Sequence, residues 1–411
     1  MARGRDALVN LRDRRLIYAA ALLRGLAAGA ISVLAAVYLA KRGFPADDIG
    51  IVLSAGMAGV FAGTVYGTFL ADRVGRRRSL VLLALLAAAG GAALVWFDSL
   101  WAIALAAFVG MLSTQGSDRG AAQALEVSIL PATTGDTERT RVYAWYNALA
   151  DAGGAAGALL AALPAVLRNQ FELTEVRAYD TTIFVYAALL VGVALLYARL
   201  SRATEPAQAG ATGPGASGLP PSARRNVWRF AGLSAMDSLG GGFIGSALIA
   251  YYLYARFGIG EGALALLFAA ARLMTVLSHF AAAWLAQRIG LVNTMVFTHI
   301  PSSLLLLTLP IAPNFGVAAA LFILREGLSE MDVPTRQSYL MAIVPSHERA
   351  WASGLTQLAR AAGRMIAPAF AGAAMHAGAL WLPLAAGATI KITYDLLLWH
   401  AFRTTKPPEE R

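Results

Sequence analysis

The sequence predicts an all-α membrane protein with twelve transmembrane helices in two pseudo-symmetric six-helix bundles. Of its 411 residues, 58% are hydrophobic and only 14% are charged, whereas a soluble domain carries about 25% charged residues. The apolar residues form runs long enough to cross a bilayer, and the two halves share residues at a nearly constant spacing. A transmembrane β-barrel would instead need alternating segments of about 10 residues, which the sequence lacks.

A spanning helix needs about 20 mostly apolar residues. The first apolar run follows five arginines, but it is too long for the apolar region of a signal peptide and lacks a small-residue cleavage site. We therefore interpret it as a transmembrane helix. Twelve runs come near the required length, numbered spans 1 to 12: 16–40, 49–71, 80–97, 101–128, 142–167, 182–200, 227–254, 262–286, 294–311, 317–344, 350–377 and 381–402.

Residues 201–225 form the one long polar interruption. They contain the stretch QAGATGPGASGLPPSA, and this Gly, Pro and Ser content is typical of a flexible linker. The linker divides the spans six and six. It predicts an N-terminal bundle at 1–200 and a C-terminal bundle at 226–411.

The basic residues predict the orientation. With a cytoplasmic N-terminus, nineteen Lys and Arg side chains lie on the cytoplasmic side and five on the other. The positive-inside rule then places both termini and the linker in the cytoplasm, with the chain in the inner (plasma) membrane. The net charge of +10 comes from short clusters between apolar runs, which suits anionic lipids rather than nucleic acid. The absence of Cys excludes disulfides and thiolate metal sites.

The two halves also repeat in sequence. The segment LADRVG at 70–75 matches LAQRIG at 285–290, an offset of 215. Several single residues match at an offset of 214: Tyr38 with Tyr252, Arg42 with Arg256, Asp118 with Asp332, and Gln123 with Gln337. Matches at nearly one spacing indicate a duplicated six-helix unit.

The loop between spans 2 and 3 carries the most specific motif. The segment GTFLADRVGRRR at 67–78 resembles motif A of the major facilitator superfamily, G-x-L-a-D-r-x-G-r-[KR]-x, with only the early Leu altered. Together with the six-plus-six repeat, the resemblance covers the whole chain. It implies the fold of that superfamily and a secondary transporter that works by alternating access.

Each motif residue has a physical reason. Gly67 would let span 2 approach a neighbouring helix closely, and Gly75 would permit a tight turn. Asp72 can face the positive N-terminal end of span 11, and the resemblance implies that this contact ties the bundles together on the cytoplasmic side. Arg73 and Arg76 offer partners for acids and lipid phosphates. A merely topology-setting basic loop would not explain the two glycines and the acid.

Two further motifs are degenerate. Arg119 and Gln123 in span 4 resemble motif B, whose Arg is often tied to proton coupling. Gly153 and Gly157 in span 5 resemble the antiporter motif C, although Ala158 replaces its Pro. Close helix packing also explains this glycine spacing, so the motif leaves the direction of transport open.

Ionisable side chains also lie within the predicted spans. Each costs about 2.5–3.5 kcal/mol at the bilayer centre on insertion scales, so each needs a reason. Acids and bases are equal in number, as mutual pairing would require. They are Arg24 in span 1; Asp118, Arg119 and Glu126 in span 4; Asp151 in span 5; Asp237 in span 7; Arg272 in span 8; Arg325, Glu326, Glu330, Asp332 and Arg336 in span 10; Arg360 and Arg364 in span 11; and Lys391 and Asp395 in span 12.

A subset of these charges is predicted to form the path of substrate and protons. In the superfamily, helices 1, 4, 7 and 10 line the central cavity, and span 10 would present one polar stripe from residue 325 to 339. Structural ion pairing is the alternative, favoured for Glu126, for Arg336 and for Lys391 with Asp395, spaced i, i+4. Asp151 and Arg272 lie on spans that meet at the bundle interface in the family, which suggests gate partners. The predicted path comprises Arg24, Asp118, Arg119, Asp237, Arg325, Asp332 and Arg336.

The leading functional hypothesis is proton-coupled efflux of a small organic compound. The alternative is uptake of a metabolite such as an organic anion, given the arginines in the spans. No Walker A sequence indicates ATP as the driving force. A membrane enzyme would need a nucleophile or metal cluster, but G-x-S-x-G and H-E-x-x-H are absent and the five histidines are scattered. A sensor would need an output domain larger than the linker or tail. We predict no catalytic residue, metal or cofactor, and a monomer whose partners are substrate, protons and anionic lipids.

Overall fold

The computed structural model describes residues 2–113, 115–116, 120–133, 139–205, 221–344 and 349–403, and its regular elements there are helical. The α-helices of the first half are α1 (Ala2–Lys41), α2 (Ala46–Phe69), α3 (Ala71–Val74), α4 (Arg76–Trp96), α5 (Leu100–Val109), α6 (Ala121–Ile129), α7 (Arg139–Leu160), α8 (Leu163–Phe171) and α9 (Glu175–Ala198). Those of the second half are α10 (Pro221–Phe243), α11 (Ser246–Phe257), α12 (Glu261–Ile289), α13 (Leu291–Thr308), α14 (Phe315–Ser329), α15 (Asp332–Ile343), α16 (Arg349–His376) and α17 (Leu382–Phe402).

The chain divides into two compact units. Unit 1 comprises Met1–Gly213 with Gly260–Ala269, and unit 2 comprises Pro214–Ile259 with Ala270–Arg411. This division differs from the predicted domain limits at α12, whose first residues group with unit 1.

In the described part of the chain, eight helices are long and apolar enough to cross a membrane, fewer than the twelve predicted spans. Span 4 is divided between α5 and α6, and span 10 between α14 and α15, so neither is one long helix. Spans 11 and 12 correspond to the long helices α16 and α17, whose charged side chains lower their mean hydropathy. The count of twelve stays a prediction.

Helix packing repeats between the units. In unit 1, α1 packs on α7 and α9, and α4 packs on α9 and α5; in unit 2, α10 packs on α16 and α17, and α13 packs on α17, α14 and α15. The turns match as well, because Gly43 and Gly75 have φ of 86° and 104°, and Gly258 and Gly290 have φ of 65° and 87°. The sequence repeat is therefore also a structural repeat.

The glycines of the motif C-like segment pack against α1. A Cβ on Gly153 would lie 2.2 Å from the carbonyl oxygen of Leu22, and one on Gly157 would lie 2.1 Å from that of Leu26. Both contacts are with backbone, which cannot move aside as a flexible side chain can. These glycines thus have a packing role that is independent of transport direction.

Replacing Gly157 with alanine should lower the free energy of unfolding by about 1–3 kcal/mol, the usual cost of overpacking. Gly154→Ala is the matched control, because the nearest atom to its Cβ, the carbonyl oxygen of Gly116, would be 3.8 Å away. The measurement is the thermal unfolding midpoint of each purified variant in one detergent. Equal midpoints for the two variants would contradict the tight α1–α7 contact.

Spans 4 and 10 are interrupted at matching positions of the repeat. After α5 the chain leaves the helical path at Gly110, Met111 takes a φ of 49°, and α6 begins at Ala121. In span 10 the break comprises Glu330 and Met331. Subtracting the repeat offset of 214 gives positions within the break of span 4, so the two breaks are equivalent in the repeat. The polar stripe predicted for span 10 therefore does not lie on one continuous helix. The two breaks are therefore part of the structural repeat, as the matching turns are.

Candidate functional site

Unit 1 contains a buried network centred on Glu126 of α6. One carboxylate oxygen lies 2.7 Å from Nη1 of Arg24 on α1, and it accepts a hydrogen bond of 2.7 Å from the Tyr146 hydroxyl. The other oxygen accepts a bond of 2.8 Å from the Tyr197 hydroxyl. The Arg24 guanidinium also donates to both hydroxyls. Arg24 is 7% exposed and the other three residues are fully buried.

Each of these four residues bonds to at least two of the others. Both oxygens of Glu126 receive donors, and the four residues come from α1, α6, α7 and α9. It therefore fixes the second half of the interrupted span 4 against three other helices. Glu126, for which ion pairing was favoured from the sequence, is the counter-ion of Arg24.

Unit 2 contains a larger network centred on Asp237 of α10. Its Oδ1 lies 2.7 Å from Nζ of Lys391, and its Oδ2 lies 2.9 Å from Nη1 of Arg360 and 3.4 Å from Nη1 of Arg336. Arg336 also forms an ion pair with Asp332, one turn before it on α15. All five residues are buried. The structure thus brings together three of the predicted path residues, Asp237, Asp332 and Arg336.

His299 of α13 extends this network. Its Nδ1 lies 2.9 Å and 3.0 Å from the two oxygens of Asp395, and its Nε2 lies 3.1 Å from Nζ of Lys391. The prediction that Lys391 pairs with Asp395 along α17 is wrong, because Lys391 bonds to Asp237 and Asp395 bonds to His299. Each residue of the predicted i, i+4 pair bonds instead to a partner on another helix.

The two networks occupy corresponding spans with opposite polarity. In unit 1, span 1 supplies a cation and span 4 an anion; in unit 2, span 7 supplies the anion, and spans 10, 11 and 12 supply the cations. Tyr146 of unit 1 and Arg360 of unit 2 are different residues at equivalent positions, because they are separated by the repeat offset of 214. The repeat therefore conserves positions and packing while the chemistry at those positions differs.

Arg325 of α14 is buried beside Glu326, with which it forms an ion pair. Its Nε is a buried donor without a hydrogen-bond partner in the described part of the chain. Arg325 is therefore the predicted path residue with a visible unused donor.

The remaining predicted residues divide into two groups. Asp118 and Arg119 lie outside the described residues. Asp151 and Arg272 are half-buried and belong to different units, and Arg272 donates to the hydroxyl of Ser246 at 3.3 Å. Their pairing as gate partners stays a prediction.

The turn of motif A forms hydrogen bonds with a residue outside the motif, Glu205. Gly75 adopts the positive φ expected for the tight turn, and α4 begins at the next residue. The backbone N–H groups of Arg76 and Arg77 donate to the carboxylate of Glu205, at 2.6 Å and 3.2 Å. Asp72 pairs with the Arg76 side chain at 2.7 Å. The predicted contact of Asp72 with span 11 joins two units and stays a prediction.

Close approach along α2 occurs away from Gly67. A Cβ on Gly67 would meet Ala121 at 3.5 Å, an ordinary contact, whereas one on Gly59 would lie 1.9 Å from the carbonyl oxygen of Phe108. Gly56 is equally restricted, because its Cβ would lie 2.4 Å from the carbonyl oxygen of Leu112. The close packing of α2 therefore requires Gly56 and Gly59 rather than Gly67. Arg73 is exposed, which leaves it available to polar partners.

Comparison with known proteins is consistent with this architecture. The chain is 24% identical over 417 residues to the uncharacterized membrane protein YJR124C of Saccharomyces cerevisiae (strain ATCC 204508 / S288c), covering 94% of this chain and 93% of that protein. Among solved structures it resembles the nucleoside transporter NupG, with a TM-score of 0.76, 14% identity, and coverage of 95% of this chain and 100% of that one. It also resembles a bacterial homologue of the human lysosomal transporter Spinster, with a TM-score of 0.71, 17% identity and 97% coverage of each chain. The family model of the Major Facilitator Superfamily matches residues 17–368, most of the chain. This chain therefore belongs to the major facilitator superfamily of membrane transporters.

Proposed function

We propose that this protein is a secondary active transporter that couples efflux of a small organic compound to protons. The observation that carries the proposal is the unit 2 network, in which one buried carboxylate, Asp237, bonds to three cations. Ionisable groups at membrane depth are costly and mark substrate paths or proton relays. Adding a proton to such a network changes which ion pairs it can hold. Protonation can therefore favour one of the states between which the transporter alternates.

Uptake of an organic anion is the second candidate. It is favoured by Arg325, because its buried Nε–H lacks a partner among the described residues. A carboxylate of a bound metabolite would satisfy this donor with a charge-assisted hydrogen bond. In this alternative the proton and the anion move in the same direction.

Transport in proteoliposomes tests the proposal. A thermal-shift screen of the purified protein against metabolites and drugs supplies the compound, and its flux is measured with and without an imposed pH gradient. Movement opposite to the proton gradient is expected for efflux, and movement with it for uptake. If the parent protein accumulates the compound equally with and without the pH gradient, proton coupling is rejected.

The acid Asp332 supplies a sharper form of this experiment. Asp332→Asn mimics a permanently protonated acid, so it should abolish accumulation against a gradient while downhill exchange persists. Asp98→Asn is the control, because the Asp98 side chain is 97% exposed. If the Asp332 variant responds to the gradient like the parent, another group carries the coupling, and loss of folding would indicate a structural ion pair.

Orientation in the inner membrane can be tested on this cysteine-free background. The basic asymmetry places residue 211 in the cytoplasm and residue 169 on the opposite side. Cys introduced at Asn169 should react with an impermeant maleimide in intact cells, and Cys at Ala211 should react only after the membrane is opened. The reverse labelling pattern would overturn the proposed orientation.

Three further roles complete the proposal. Asp72 helps to close the cytoplasmic side, as the family resemblance implies. The basic loops bind anionic lipids, because they carry clustered Arg side chains such as Arg76 to Arg78. The protein works as a monomer.

A further inference from the structure

Four side chains of unit 2 form a continuous hydrogen-bonded chain. It runs from Asp395 to His299, from His299 to Lys391 and from Lys391 to Asp237, with contacts of 2.9 Å, 3.1 Å and 2.7 Å. The chain joins α17, α13 and α10. His299 is 2% exposed and Asp395 is fully buried, so solvent does not compete for these bonds.

Hydrogen-bond chemistry assigns the protons along this chain. A lysine ammonium group only donates, so Lys391 donates to Nε2 of His299 as well as to Asp237. Nε2 must then be the unprotonated, accepting nitrogen of a neutral imidazole. The ring hydrogen therefore sits on Nδ1 and is donated to the Asp395 carboxylate, which accepts it.

Among the charged groups around His299, Lys391 is the one that a second proton on the ring would face. From α17 come Asp395, Lys391 and the edge of the Tyr394 ring, whose centroid is 6.1 Å from that of His299. From α10 comes Asp237, 3.9 Å from Nε2. Two arginines, Arg336 of α15 and Arg360 of α16, bond to Asp237. Asp332 of α15 pairs with Arg336. Arg325 of α14 pairs with Glu326.

We propose that His299 is a proton-binding site whose occupancy is passed to Asp237 by displacement of Lys391. A proton taken up at Nε2 forms an N–H bond that points at the Lys391 ammonium group, so two donors would face each other at 3.1 Å. The Lys391–His299 bond then breaks and the ammonium group moves. Asp237 loses its shortest contact and keeps Arg360 at 2.9 Å. The proton thus weakens the link between α17 and α10.

This inference rests on the proposed proton coupling and adds His299 to it as a proton-binding residue. Asp237 and Asp332 each bond directly to an arginine, whereas Nε2 of His299 is an unprotonated nitrogen that accepts a hydrogen bond from Lys391. A proton at this position changes the partner of Lys391 directly. Proton binding and ion-pair exchange are therefore one event at adjacent atoms.

Nitrogen NMR of the full-length protein in lipid nanodiscs tests this switch with protons as the only ligand. The chain contains five histidines and three lysines, Lys41, Lys391 and Lys406, so side-chain 15N labelling gives few signals. At alkaline pH, the signal assigned by its loss in His299→Gln should show hydrogen on Nδ1 alone. On acidification it should convert to the doubly protonated form, and the Lys391 signal should shift over the same pH range.

Two variants make the experiment decisive. His299→Gln should abolish the pH-dependent shift of Lys391, whereas His400→Gln, which changes an exposed histidine of α17, should preserve it. A parent His299 that carries its hydrogen on Nε2, or that titrates without any change at Lys391, would overturn the inference. If His299→Gln fails to fold, loss of the signal in His299→Asn assigns it instead, and the parent titration decides the outcome. Co-titration without gradient-driven transport would leave the switch standing and reject the proposed coupling instead, and gradient-driven transport without co-titration would reject only His299.

Discussion

Replacing Asp237 with asparagine should lower the free energy of unfolding by about 3–5 kcal/mol, the usual effect of removing one partner of a buried ion pair. The reason is that Lys391, Arg360 and Arg336 would lose their shared carboxylate. These cations are buried and have little access to water. The measurement is equilibrium unfolding of the purified variant in mixed micelles, together with its transport rate, which should fall to background.

The control for Asp237 is the exposed acid Asp98, which pairs with Arg42. Asp98→Asn should have only the small effect that is typical of surface ion pairs. A double-mutant cycle with Lys391→Met isolates the direct bond, because the double variant removes one acid and one base together. If Asp237→Asn is as stable as Asp98→Asn, Asp237 does not neutralise the cations around it.

Replacing Glu126 with glutamine should have an effect of similar size in unit 1, about 3–5 kcal/mol. The variant leaves the Arg24 guanidinium buried without its counter-ion, and an amide replaces the carboxylate oxygens that accept from Tyr146 and Tyr197. Because Glu126 anchors α6, the loss should also loosen the second half of span 4. Limited proteolysis of the loop after α6 would detect that loosening, and equilibrium unfolding would give its energy.

Two variants control for the loss of Glu126. Glu172→Gln changes an exposed glutamate of the same unit and should leave stability unchanged. The double variant Arg24→Met with Glu126→Gln removes both charges, and it should recover part of the lost stability because an apolar replacement of a buried pair is often tolerated. A double variant less stable than Glu126→Gln alone would show that Arg24 has other partners of equal weight.

The sequence repeat predicted the features that depend on backbone geometry. The match between residues 70–75 and 285–290 recurs as two turns with positive φ at Gly75 and Gly290. The packing pairs of the two units also correspond. These features were predictable because a glycine in a turn and a small residue in a helix contact each impose a local steric requirement.

The side-chain partners were not predictable in the same way. An i, i+4 pair on a helix contributes only about 0.2–0.5 kcal/mol, so Lys391 and Asp395 instead take partners on α10 and α13. The role of His299 was not predicted, because the five histidines are scattered along the sequence and no spacing distinguishes this one. Its signal was a run of polar residues in an otherwise apolar span: Thr294, Thr298, His299, Ser302 and Ser303, all buried.

The breaks in spans 4 and 10 have a consequence for hydration. Around Met111 and around Glu330, backbone groups leave the regular hydrogen bonding of the helices at positions related by the repeat. Lipid tails cannot bond to these groups, and irregular backbone at membrane depth is tolerated only where protein covers it or water reaches it. Each break therefore requires a covering protein surface or a water-filled space beside it, and a lipid-facing position is excluded for both.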